Sequence, residues 1–264
     1  AQLVYAIDKD VNEAERLFSK WLKTEEELNR YEYEEDEAET RMRGNYVHIL
    51  MSFIQLSDNC DRELLASWID EYISRFTPLG ICESDYIVGE ICRDSQLYDQ
   101  TEKIYTELLE LDPYLKKGWS LMAAVQNYKG DFEKSIASAD FALAIDPDDT
   151  DALLAKAHSY YAMQEYDKGI PIFEKYINAT GDHSQSIYIG LKHLFDDEVD
   201  KGYEHLLKAK NYCLLNVDNK HVTPMLMYEI ANAFIVCKHF NDANQMIDVC
   251  QLHGMPWQDC DILR

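Results

Sequence analysis

Positive charge is in short supply in this chain. Its 264 residues carry 25 lysines and arginines against 49 aspartates and glutamates, a formal net charge of −24. A field of that sign repels phosphate backbones and anionic lipid heads, so nucleic-acid or membrane-surface binding would need a local basic stripe, and none is present. Glycine and proline are also scarce, ten and six, too few breakers for an all-β fold of many short strands. No stretch approaches the roughly 18 uninterrupted apolar residues of a membrane span, and no basic-then-apolar signal segment is seen at the start. The seven cysteines are an odd number without framework spacing, and Cys82, Cys92, Cys237 and Cys250 fall within predicted helices. That usage points to reduced thiols and a cytoplasmic location.

Catalytic signatures are missing as well. There is no Gly-rich phosphate loop, no Gly-x-Ser-x-Gly elbow and no His-Glu-x-x-His helix. Cys237, His239, Cys250 and His253 are zinc-type side chains, but Cys237 and His239 bracket a predicted turn while Cys250 lies about 15 Å further along a helix. Buried thiols and exposed imidazoles are the simpler expectation. His193 and His205 straddle another turn with Asp196, Asp197 and Glu198, where a solvated loop is expected rather than an acid–base set. No catalytic residue, metal or cofactor is assigned.

What the chain does have is a period. Gly89, Ala123 and Ala157 stand 34 residues apart, and so do Thr101, Ser135 and Gly169. Positions kept small at a fixed step mark two places per unit where backbones touch. Pro113 and Pro147 keep the same step, each closing a hydrophobic-Asp-Pro phrase. Within one unit Phe132, Ile136, Ala139 and Leu143 recur at helical spacing and leave Glu133, Lys134 and Asp140 to water. Gly130-Asp131 is expected to end one helix and Asp146-Pro147 the next, because the residue before proline disfavours the helical region. Pro171 is expected in a first turn capped by Asp167, where a missing N–H costs little.

Trp119, Ala123, Ser135, Ala142 and Pro147 occupy the positions of Trp, small, small, Ala and Pro in a known motif, and Lys129 to Ile136 matches its turn into the second helix. On these residues the chain resembles the tetratricopeptide repeat family. The resemblance covers about residues 82–253 as five units, 82–115, 116–149, 150–182, 183–215 and 224–253, followed by a tail at 254–264. It implies an all-α fold, the α-α superhelix of antiparallel helix hairpins, right-handed in its winding, in which each unit is too small to bury its apolar face alone. Residues 1–81 leave the register. Ala14, Phe18 and Trp21 share one face, a long helix is predicted from about 36 to 56, and Leu65, Trp68, Ile69, Tyr72, Ile73 and Phe76 make a second apolar stripe. Divergent terminal hairpins continuous with the array are expected, with a small separate domain as the alternative. The acidic run from Glu25 to Glu39, with Tyr31 and Tyr33 interleaved, reads as a solvated loop and helix start or, more sharply, as a docking surface for a basic partner.

In this family the first helix of each unit lines a concave groove. Carried onto this sequence, that rule implies binding positions at Tyr86, Glu90, Lys117, Asn127, Asp151, His158, Tyr161, Tyr188, Tyr228 and Asn232. Tyr98, Tyr105, Tyr160 and Tyr166 hold packing positions and are expected in the core; Tyr86, Tyr161, Tyr188 and Tyr228 are divided between packing and recognition. The family's clamp on a C-terminal carboxylate needs Lys, Asn and Arg where this chain has Tyr86, Glu90, Leu121, Asp151 and Ala155, so that mode is not expected. The implied function is a non-enzymatic scaffold or adaptor that binds another protein, as a peptide or a partner helix with basic or aromatic anchors. The alternatives are a holdase for one client and a repeat frame in a ligand- or glycan-binding component; self-association through an exposed terminal hairpin fits any of them.

Overall fold

The computed structural model describes residues 11–32, 35–56, 61–79, 82–115, 117–219 and 222–252. Among the described residues there are thirteen α-helices, two short 3-10 turns and no strand, so the chain is all-α. It divides into two compact units, residues 1–130 and 131–264.

The first unit contains α1 (Val11–Glu32), α2 (Glu35–Leu56), α3 (Arg62–Phe76), α4 (Glu83–Asp94), α5 (Tyr98–Leu111) and α6 (Gly118–Lys129). The Asp61 carboxylate caps α3 by accepting from the backbone N–H groups of Glu63 and Leu64. Every residue of the stripe predicted in α3 is buried, from Leu65 to Phe76. Aromatic rings from the preceding helices cover it: Phe18 stacks on Trp68 at 4.4 Å, Phe53 meets Trp68 at 4.9 Å, and Tyr46 meets Tyr72 edge-on at 5.5 Å. Of the acidic run, the side chains of 25–26 and 28–36 lie outside the described residues; Glu39 pairs with Arg43.

An ion pair sits inside this apolar packing. Arg43 and Asp85 are 1% and 0% exposed. The guanidinium donates to Asp85 Oδ2 at 2.8 Å and to the Phe76 carbonyl at 2.7 Å, while Asp85 also accepts from the Tyr72 hydroxyl and the Cys82 N–H. Three helices, α2, α3 and α4, are thereby tied by side chains far apart in sequence. Charge-assisted bonds on both partners offset the cost of taking two ions out of water.

The second unit runs through α7 (Phe132–Ile145), α8 (Thr150–Ala162), α9 (Tyr166–Thr180), a 3-10 turn (His183–Gln185), α10 (Ser186–Phe195), α11 (Val199–Leu215), α12 (Pro224–Val236) and α13 (Phe240–Leu252), each helix packed on the next. The positions kept small are crossing points. A methyl on Gly169 would meet the Ala157 carbonyl at 3.3 Å, and one on Gly190 the Gly202 carbonyl at 3.1 Å. A second ion pair, with its lysine buried and its aspartate half-buried, belongs here. Lys210 of α11 binds Asp242 of α13, which also accepts from Tyr203. Burial pushes the Asp242 carboxyl up, but these two bonds outweigh it and hold it below the ordinary aspartate range.

Helix ends repeat with the same regularity. Asp112 and Asp146 both leave the helical region before proline, at ψ 91° and 99°, and each carboxylate accepts from the N–H two residues on. The first helix of each hairpin ends on a left-handed residue: Gln96 at φ 57°, Gly130 at 82°, Gln164 at 62°, Asp197 at 62° and Lys238 at 63°. Except at Gly130, the next N–H reaches back to the carbonyl five residues earlier, as from Leu97 to Cys92 and from Glu165 to Tyr160, the Schellman arrangement that favours glycine. Only one of the five positions has it. Pro171 differs from its expected placement. The backbone of α9 starts at Tyr166, with Glu165 and not Asp167 at the cap position, so Pro171 lies beyond the first turn, exposed, and removes a hydrogen bond on the solvent side of the helix.

Asp85→Ala leaves the buried Arg43 with Glu39 as its remaining carboxylate and strips the Tyr72 hydroxyl and the Cys82 N–H of their acceptor; it is expected to destabilise the protein by about 3–5 kcal/mol in urea unfolding, with a large part recovered by the double replacement Arg43→Met, Asp85→Leu. A loss under about 1 kcal/mol in the single variant would contradict the assigned role. Gln164→Gly relieves a left-handed glutamine and should raise stability by about 0.5–1 kcal/mol, whereas Gly130→Ala should lower it by about 1 kcal/mol, both read from unfolding midpoints.

Candidate functional site

Aromatic side chains gather where the first helices of successive hairpins in the second unit lie near one another. On α8, Leu154, His158 and Tyr161 follow at steps of four and three and share one stripe; on α10 the corresponding residues are Tyr188 and Leu191, and on α12 Tyr228, Asn232 and Ile235. Tyr188 stacks on Phe173 at 4.8 Å and 8° between planes, with Phe173 fully buried in α9. Tyr161 meets Tyr188 edge-on at 4.9 Å and Tyr166 at 5.0 Å. Each such pair contributes about 0.5–1.5 kcal/mol beyond its buried area, so the rings are held in place before any ligand arrives. Burial first, then the nearby Tyr166 and Glu229, push the Tyr161 hydroxyl up to about 12, so at neutral pH it is a donor.

His158 lies beneath these rings. It meets Phe173 at 5.2 Å and Tyr188 at 4.8 Å, both edge-on. Burial lowers its pKa to about 4, against an opposing contribution from Gln185. Gln185 is placed by the turn that follows α9. Gly181 adopts φ 71° to end the helix, and the buried Asp182 accepts from Tyr176 and from the Ser184 N–H to start the 3-10 turn. His158 therefore stands as a neutral wall group.

Beside this face is an open depression of about 370 Å³ lined by Tyr166, Lys168, Lys192 and Phe195 among others. Its two lysines are paired with Glu165 and Asp196. Phe195 is 76% exposed and contacts Tyr166 at 6.1 Å. The sequence did not single it out as a surface group; the signal was an apolar residue at the end of a first helix, directly before Asp196-Asp197.

The remaining implied positions are dispersed. Asp151 is exposed in the first turn of α8, and Tyr228 and Asn232 are half-buried on α12. In the first unit Tyr86 is half-buried against the core, Glu90 is exposed and paired with Arg93 at 2.9 Å, Lys117 is exposed at the start of α6, and Asn127 is half-buried near its end. Among the tyrosines expected in the core, only Tyr105 is fully buried. Tyr98 instead stacks on the exposed Tyr128, Tyr160 lies under Lys156 and Lys168, and Tyr166 lines the depression, because each sits near a hairpin edge where the next layer covers one side of its ring. His239 stacks on Tyr203 at 3.8 Å and the Cys250 thiol points to the Pro224 carbonyl, while His253 lies outside the described residues. Among the described residues no three His, Cys, Asp or Glu side chains are grouped as a metal would require. His193 binds Glu198 at 2.7 Å and stacks on His205, so the two imidazoles do come together across their turn.

Residues 150–183, the hairpin of α8 and α9 that carries His158 and Tyr161, match the tetratricopeptide repeat family. This is a tetratricopeptide-repeat fold. Solved structures of the same fold include MamA, at 16% identity over 71% of this chain and 99% of that one with a TM-score of 0.51, and MamA from Desulfovibrio magneticus RS-1, at 15% identity over 66% and 96% with a TM-score of 0.54. A thermophilic tetratricopeptide-repeat protein of Thermus thermophilus, TTC0263, aligns at 13% identity over 73% of this chain and 99% of its own with a TM-score of 0.50. No curated protein matches the sequence. At these identities the likeness is one of fold. Among the described residues no helix is long and apolar enough to cross a membrane.

The depressed pKa of His158 gives the repeat a pH dependence of definite sign. The folded state prefers the neutral ring, so this contribution is complete above the unfolded value near 6.5 and is lost as pH falls toward 4. By pH 5 the loss is about 2 kcal/mol relative to pH 7. His158→Phe keeps the edge-on contacts and removes the titration; its unfolding free energy should fall less than that of the wild type between pH 7 and 5 by that amount, and parallel profiles would disprove the assignment.

Proposed function

We propose that the chain is a non-enzymatic protein-interaction module, and that the face built by α8, α10 and α12 receives a segment of another protein. The observation that carries this reading is the set of half-buried tyrosines Tyr161, Tyr188 and Tyr228, the first two fixed by ring contacts and the third packed against the core, all still partly open to solvent. Tyrosine supplies contact area and a hydroxyl at low rotamer cost, which is why it is enriched among residues that dominate binding. Tetratricopeptide-repeat folds commonly serve as frames for protein–protein contacts, and that general role is the one the fold supports. The family's carboxylate clamp has no counterpart here: Asp151 and Ala155 stand where cations would be needed. The net charge of −24 and the absence of Lys or Arg among Leu154, His158, Tyr161, Tyr188, Leu191, Tyr228, Asn232 and Ile235 favour a segment with aromatic or apolar anchors and basic flanks. The five-unit division of residues 82–253, and a groove role for Tyr86, Glu90, Lys117 and Asn127 in the first unit, belong to the same proposal.

Selection of random peptides on the immobilised protein tests it. Enriched sequences should bind the wild type and lose about tenfold or more in affinity to a Tyr161→Leu, Tyr188→Leu double variant that keeps its helical spectrum at the assay temperature. Equal binding to the double variant would remove this face from the interaction.

A further inference from the structure

The turns inside the last two hairpins carry the same exposed apolar pair. Phe195 ends α10 and Val199 opens α11; Val236 and Phe240 hold the equivalent places on α12 and α13, each 41 residues further on. Phe195 and Val236 are 76% and 73% exposed, and Val199 and Phe240 are exposed as well. Ring contacts bring these turns to a common edge. Tyr166, which opens α9, meets Phe195 at 6.1 Å. One hairpin on, Tyr203 lies a turn beyond Val199 on the same stripe of α11 and stacks at 3.8 Å on His239, the residue before Phe240. Each second helix thus begins against the turn of the following hairpin, and the four exposed side chains follow one another from the 370 Å³ depression at Tyr166 and Phe195. The other exposed large apolar residues beyond α9, Leu215 and Met225, lie at the opposite ends of α11 and α12. Charge on the edge is one-sided. Its lysines are taken up internally, Lys168 by Glu165, Lys192 by Asp196 and Lys201 by Glu198. Among the described residues Asp167, Asp197 and Asp200 are exposed and in no ion pair, against Lys238 as the one cation in that condition on these turns.

We propose that this turn edge is a second docking surface, for a basic amphipathic helix of another protein. Its apolar face covers Phe195, Val199, Val236 and Phe240, and its lysines or arginines meet Asp197 and Asp200. Exposed apolar side chains gathered in a row and rimmed by charge mark contact sites, whereas scattered ones need no explanation. The row is made of side chains at helix ends and offers no strand that a partner could extend, so contact is through side chains, as when a helix is laid down by its apolar face. The unneutralised carboxylates select the occupant. They repel nucleic acid and anionic lipid, and a second copy of this chain would bring the same acids to the same edge. A basic helix is drawn to them while its apolar face leaves water. This surface is distinct from the tyrosine face of α8, α10 and α12 and does not rest on that reading.

The probe is a synthetic amphipathic helix, two repeats of Leu-Lys-Lys-Leu-Leu-Lys-Leu, dye-labelled and titrated with the full chain by fluorescence anisotropy at about 0.15 M salt. Saturable binding is expected, weakened about tenfold in a Phe195→Ser, Val236→Ser variant and about threefold or more in Asp197→Asn, Asp200→Asn, with the helical spectrum kept in both. Leu215→Ser, Met225→Ser removes two exposed apolar side chains elsewhere and should bind as the wild type does. The same peptide with glutamate in place of lysine should not bind. Absence of saturable binding, unchanged affinity in either edge variant, an equal loss in the Leu215→Ser, Met225→Ser control, or binding of the glutamate peptide would each overturn the surface. The Tyr161→Leu, Tyr188→Leu variant tells the two surfaces apart. It should bind the lysine peptide with unchanged affinity, and a loss as large as that of Phe195→Ser, Val236→Ser would assign the peptide to the tyrosine face and overturn the edge. If edge binding behaves as expected while no selected peptide depends on the tyrosines, the edge stands and the tyrosine face falls.

Discussion

Where α10 crosses α11, a methyl group on Gly190 would lie 3.1 Å from the carbonyl of Gly202, so the backbones meet with no room for a side chain between them. The hairpin of α8 and α9 is built the same way around Ala157 and Gly169. Because the two helices of a hairpin touch backbone to backbone, the side chains that would otherwise fill their interface are displaced to its flanks. Those flanks are apolar, and a hairpin of this size cannot cover them itself. The next hairpin does so, and buried residues such as Phe173, Ile187 and Phe234 lie in the layers so formed. Close crossing therefore decides which residues are core and which are left on a face.

That constraint also explains how much could be read in the sequence. A small residue every 34 positions is visible without coordinates, and so is an apolar stripe such as Leu65 to Phe76, because both follow from local geometry and helical period. The turn residues Gln96 and Gln164 gave no sign, since the chain reversal demands a left-handed backbone whatever side chain is present. Arg43 and Asp85 carry no local pattern either; their pairing depends on three helices converging. Tyr98, Tyr160 and Tyr166 occupy packing positions, but a hairpin edge covers one side of a ring and leaves the other, which position in a repeat cannot tell. At the candidate face the residue types were legible while their roles were not. His158 reads from the sequence as a binding group, and its edge-on contacts with Phe173 and Tyr188 carry no signal there.

The two inter-helix ion pairs and the tyrosine face represent opposite uses of the same balance between desolvation and compensation. Arg43–Asp85 and Lys210–Asp242 each set a cation against a carboxylate of another helix and serve to hold neighbouring helices in register. Around Tyr161 and Tyr188 the apolar part of the compensation is complete, through ring contacts, while the polar part is left open. A ring already stacked loses little further freedom when something binds to it, so most of the contact energy remains available for affinity. Charge acts over a longer distance. The excess of acid raises the encounter rate of basic segments and disfavours acidic ones, an influence that salt screens within roughly 10 Å at ordinary ionic strength. Selectivity at short range must then come from the fixed rings, since the general field treats every basic segment alike.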